Sequence, residues 1–100
     1  MGYSQAYRGT FTFATREKRD AVVAAADAYL REESSIGLDM LVKSPHTETT
    51  VMINASMHAP ASLAFKIEAA LYKLAEYAIE GCVACHFEGD EDTAVCAGDT

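Results

Sequence analysis

Basic residues are scarce in this chain. Eight Lys and Arg stand against fifteen Asp and Glu, a formal net charge of −7 over 100 residues. A field of that sign repels phosphate backbones, so nucleic acid is excluded as an expected partner. Long apolar runs are missing too. The two stretches with helical periodicity are interrupted by Lys and Glu, and no membrane span is expected. The start, MGYSQAYRGT, has no basic stretch followed by an apolar one, and Ala6 stands where an N-myristoylation signal carries Ser or Thr. The expectation is therefore neither a secretory signal nor a lipid anchor. There is no phosphate-binding glycine loop and no G-x-S-x-G turn, so no catalytic residue is nominated and the chain is not read as an enzyme. Repeats and low-complexity tracts are absent. Cysteine is limited to three. An odd count without an export signal gives the expectation of free thiols in a reducing, cytoplasmic setting.

What is present is ordinary for a folded domain. Half the residues are apolar and 23% are charged, which argues against disorder. One hundred residues suit one domain, and a chain of that size buries roughly 65% of its unfolded surface. The core is expected within residues 6–88. Residues 89–100 are small and acidic, and form either a mobile end or a short edge strand.

The order of elements follows from periodicity. From Tyr7 to Phe13 aromatic residues alternate with Arg8, Thr10 and Thr12, the pattern of a half-buried strand. Thr15 is placed to cap a helix that runs from Glu17 to about Glu33, with Val22, Ala26 and Leu30 on one face. Ile36, Leu38, Met40 and Val42 alternate as a second strand. Pro45 and His46 lie in a turn. Val51, Ile53, Ala55 and Met57 form the inner face of a third strand. Pro60 to Glu80 reads as a helix with Leu63, Ile67, Leu71 and Leu74 on its stripe, ended by Gly81 in a left-handed conformation. Cys82 to Phe87 is the last strand. This β-α-β-β-α-β order predicts an α+β fold, a ferredoxin-like sandwich with a four-stranded antiparallel sheet and two helices on one face. Right-handed crossovers place the first and third strands centrally. Acylphosphatases share the order, but their glycine-rich Arg loop is replaced here by Ala14-Thr15-Arg16-Glu17, so the likeness stops at the fold.

Cys82-Val83-Ala84-Cys85-His86 has the C-x-x-C-H spacing of covalent haem attachment. In an extended strand, however, neighbouring side chains point to opposite faces. Cys82 and His86 then share one face and Cys85 lies on the other, so both sulfurs cannot reach one haem. No cofactor is expected. A zinc set of Cys82, Cys85, His86 and Cys96 is the alternative, and it needs a turn after Cys85 that the strand pattern does not supply.

Two surfaces exceed what the core requires. The outer sheet face is expected to show Arg8, Thr10, Thr12, Leu41, Met52, Asn54, Ser56, His58, Ala84 and His86, a largely uncharged set suited to packing against a second copy. On the second helix, Phe65, Glu68 and Tyr72 lie on a flank away from the main stripe. The expectation is a small acidic module that binds another protein with a basic surface, as inhibitors, immunity proteins and regulatory subunits do, and that forms a homodimer. The alternative is a dimeric small-molecule- or metal-binding domain using the sheet face, with His58 and His86 as ligands.

Overall fold

Strand β1, Gly2–Thr12, is the middle of a five-stranded antiparallel sheet with the order β2-β3-β1-β4-β5. The computed structural model describes residues 2–43 and 49–98, with Gly2 and Lys43 as backbone only. The turn expected at Pro45 and His46 lies outside the described residues. β1 pairs with β3, Thr50–Pro60, along its whole length, and with β4, Cys82–Phe87, over Gln5 to Gly9. Two helices, α1 (Arg16–Glu33) and α2 (Ala61–Tyr77), complete the α+β fold. Among the described residues, no helix is long and apolar enough to cross a membrane.

Local chemistry explains most boundaries. Thr15 is extended and its hydroxyl accepts from Lys18 N–H at 3.0 Å, so it caps α1 as its position suggests. Pro60 is the N-cap of α2 rather than its first helical residue. α2 ends at Tyr77, not at Glu80. Ile79 N–H bonds Thr12 C=O and Thr12 N–H bonds Glu80 C=O, so this segment has already joined the sheet. Gly81, with φ +110°, is thus not a helix cap. It lies where β4 begins against β1, and a Cβ there would stand 2.1 Å from Thr10 O.

The second strand departs most from expectation. Instead of alternating from Ile36 to Val42, the chain makes a 3-10 turn over Leu38–Met40, and β2 is only Val42–Lys43. Asp27 on α1 accepts Leu38 N–H at 2.7 Å, and Arg31 bridges Asp27 and Asp39, each at 2.9 Å. Burial opposes the Asp27 charge, but the Arg31 and Leu38 hydrogen bonds and the Arg31 charge outweigh it and hold that carboxyl below its usual range. The turn changes the side-chain parity. Leu41, expected on the outer face, is buried, and Met40, expected in the core, is 60% exposed.

At the other edge, the acidic tail contributes strand β5, Thr93–Cys96, paired with β4. Val95 is buried, so the core extends past residue 88. The rest of the core matches the periodicity. Phe11, Phe13, Ile53, Val83 and Cys85 sit under Leu30, Ile67, Leu71 and Leu74, all 0–1% exposed, and each large side chain contributes about 1.5–3 kcal/mol. Among the described residues, Gln5 is the one buried polar residue. Its amide donates to Ala59 C=O at 2.9 Å and accepts from Tyr7 Oη at 2.8 Å.

Candidate interaction surfaces

Among the described residues, no helix covers the outer face of the sheet, which is built in rows across the strands. Thr12 lies opposite Thr50, Thr10 opposite Met52, Arg8 between Asn54 and Ala84, and Ala6 between Ser56 and His86. The Arg8 guanidinium donates to Asn54 Oδ1 and Ser56 Oγ, both at 3.3 Å, and the Thr12 and Thr50 hydroxyls meet at 3.2 Å. Every residue expected on this face is here except Leu41. None of the side chains that the described parts of β1, β3, β4 and β5 place on it is a carboxylate, although acids outnumber bases almost two to one.

The two histidines of this face do not converge. His58 stands opposite Ser4 on β3 and His86 opposite Ala6 on β4. They are two strand spacings apart, roughly 10 Å, and one residue pair out of step. His86 instead meets the Asp92 carboxylate through Nδ1.

β4 is extended as its sequence predicts, exposed and buried positions alternating from Cys82 to Phe87. Cys85 is buried and free. The expectation of three free thiols is corrected: Cys82 and Cys96 face each other across β4 and β5, with Cα atoms 4.0 Å apart, and form a disulfide. With two sulfurs bonded to each other and the third on the opposite face, the Cys82, Cys85, His86 and Cys96 zinc set is not assembled. Disulfides persist in oxidising surroundings and are rare in the reducing cytosol, so the cysteine argument for a cytoplasmic setting no longer stands.

The second surface lies on α2. Phe65 is 72% exposed and Tyr72 41%, seven residues apart on one side of the helix. Half-buried Glu68 lies between them, and its charge acts on Tyr7 of β1 and Cys85 of β4. Burial raises the Glu68 carboxyl above its usual range. Burial, followed by the Glu68 charge, pushes the Cys85 thiol up to about 11, against a hydrogen bond with Thr93. α2 begins beside the Gly2–Pro60 pair, and β4 ends at Phe87 opposite Gln5. Phe65 and the turn after β4 are therefore at the same end of the sheet. That turn carries exposed Glu88, Asp90, Glu91 and Asp92. It is tied back to β1 by Ser4 N–H donating to Glu88 Oε1 at 3.2 Å, and Tyr3 and Tyr7 pack their rings on Phe87.

The raised Glu68 carboxyl gives a stability test. The unfolded chain releases this proton near pH 4.5 and the folded chain releases it higher. The stabilising difference is complete below pH 4.5 and is lost as pH rises through the folded value. Glu68→Gln should therefore melt a few degrees above the parent at pH 7, and the gain should vanish below the unfolded value. Thermal melts by circular dichroism across that range check it, and equal melting temperatures at pH 7 would contradict it.

Sequence reasoning missed the disulfide because an odd cysteine count reads as unpaired. The acidic 88–92 turn between two short extended stretches was the available signal. It also missed the groove beside Met40 described below, which exists because the second strand is cut short. No family model, curated protein or solved structure matches this chain.

Proposed function

We propose that this chain is a ferredoxin-like module that works by stoichiometric binding of another protein, using the α2 flank and the adjoining acidic turn against a basic surface. The observation that carries this reading is that an aromatic anchor, Phe65 with Tyr72, and the four exposed carboxylates of the Glu88–Asp92 turn lie at the same end of the sheet. Aromatic anchors concentrate binding energy, and the surrounding charge speeds encounter and selects a partner of opposite sign. The test is capture from the native lysate on the immobilised chain, compared with Phe65→Ala and with the neutralised turn Glu88→Gln, Asp90→Asn, Glu91→Gln, Asp92→Asn. A basic protein should be held by the parent, released by salt, and lost from both variants. The same proteins held by all three chains would refute the reading.

To the bare sheet face we assign a second copy. A chain of net charge −7 resists self-association wherever carboxylates meet, and the carboxylates beside this face, Glu88 and Asp92, stand at one end of it, on Ser4 N–H and His86. Isologous packing of such faces is the commonest form of assembly. Sedimentation equilibrium should find a dimer, and Ala84→Glu, which puts a carboxylate at the centre of the face, should shift it to monomer. A parent chain that is monomeric up to its solubility limit would remove the assignment.

A further inference from the structure

Strand β3 outruns its neighbour on one side. β2 pairs only Val42 with Ile53 and Lys43 with Met52, and the last bond of that ladder joins Asn54 N–H to Leu41 C=O at 3.0 Å. Ala55 to Pro60 continue with β1 on one side alone. Backbone groups alternate sides along an antiparallel strand. Phe13 N–H bonds Thr49 C=O, so odd-numbered residues of β3 turn toward β1 and even-numbered ones away. The N–H and C=O groups of Ser56 and His58 thus face outward beyond the end of β2, and among the described residues no backbone partner meets them.

Beside this edge is a groove of about 390 Å³ walled by Ile36, Met40, Met57 and Leu63, with Asn54 and Ser56 at its rim. It occupies the place a full-length second strand would fill. Asp27 and Arg31 hold the 36–40 segment in its turn instead. The lining contains no charged side chain.

We infer that this slot receives an extended peptide segment of a partner, uncharged where it enters and bearing a bulky apolar side chain. Unpaired donors and acceptors spaced along a strand edge match the backbone of another strand. Residues that bond Ser56 and His58 leave the residue between them opposite Met57, and its side chain points into the groove. A volume near 390 Å³ is at the small end of ligand pockets and suits one large side chain with its flanking backbone. A basic segment would find no counter-charge here, which separates this occupant from the basic partner assigned to the α2 flank. The groove lies along the free edge of β3, whereas the acidic turn follows β4 on the other side of β1.

The probe is acetyl-Ser-Val-Leu-Val-Ser-amide, titrated into isotopically labelled protein and followed by NMR. The Ser56 and His58 amides and the Ile36, Met40 and Leu63 methyls should shift, and the two amides should gain protection from exchange. N-methylation of both valines, which blocks only backbone bonding, should weaken binding about tenfold or more. An aspartate in place of the central leucine should do the same. Ser56→Pro, which removes an N–H that no backbone group uses, should abolish binding while the far-UV spectrum is retained. If the N-methylated peptide binds as tightly, if the shifts centre elsewhere, or if saturating peptide moves none of these signals, the assignment is overturned.

Discussion

Gly9→Ala should cost this protein most of its stability. Gly9 sits in the central strand between Ile53 of β3 and Val83 of β4. Its φ is +155°, and a Cβ built on it would lie 2.0 Å from Cys82 O and 2.7 Å from Val83 Cα. Both are backbone atoms in a paired strand, so relief requires β4 to move away from β1. That would also disturb Val83 and Cys85, which are fully buried. The expected loss is about 4 kcal/mol or more, against total stabilities of about 5–15 kcal/mol. Gly89 provides the control. Its φ is +83°, but no atom lies within 4 Å of the added Cβ, so Gly89→Ala should cost only the left-handed backbone penalty, about 1–2 kcal/mol. Urea unfolding of the two variants separates clash from conformation. A Gly9→Ala chain no less stable than Gly89→Ala would show that β1 and β4 are not in this close approach.

Reduction should have the next largest effect. The Cys82–Cys96 bond spans a sequence separation of 14 and ties the edge strand to β4. Closing a loop of about 15 residues is worth roughly 3 kcal/mol, or on the order of 15 °C in melting temperature for a domain of this size. β5 otherwise has little to hold it: it is four residues long and Val95 is its one buried side chain. Dithiothreitol should lower the melting temperature of the parent and leave that of Cys82→Ser, Cys96→Ser unchanged. Thiol titration makes the same point by counting. The native oxidised chain should show no reactive thiol, because Cys85 is buried with its thiol pushed up to about 11. Denaturation should reveal one thiol, and reduction all three. Three thiols in the denatured, unreduced chain would mean that the bond does not form.

These two effects lie where sequence patterns were least informative. The alternation around Phe11 and Phe13, the Thr15 cap, the α2 stripe and the extended Cys82–Phe87 segment are all local signals, and each element formed as its period implied. The failures were tertiary. Nothing local shows that Asp27 will bond Leu38 N–H eleven residues away, yet that contact replaces most of a strand with a turn and turns Met40 outward. β1 begins at Gly2 rather than near Tyr7 because Gln5, which breaks the apolar alternation, finds its partners in Tyr7 and the carbonyls of Ala59 and Pro60. The last helix turn was lost because Thr12 competes for the backbone of Ile79 and Glu80. Of the two surfaces, the α2 flank was legible from helical spacing and the sheet face from alternation. The acidic turn joined the first only once the sheet placed the end of β4 and the start of α2 at the same end.

The most direct test of the binding account is the dissociation constant of the captured basic partner, measured for the parent and for Phe65→Ala at low and high salt. An aromatic anchor at the centre of an interface is worth about 2 kcal/mol or more, so Phe65→Ala should weaken binding roughly thirtyfold. The parent's affinity should also fall as salt screens the Glu88–Asp92 turn. A Phe65→Ala chain that binds with parental affinity, at a strength salt does not change, would contradict the account.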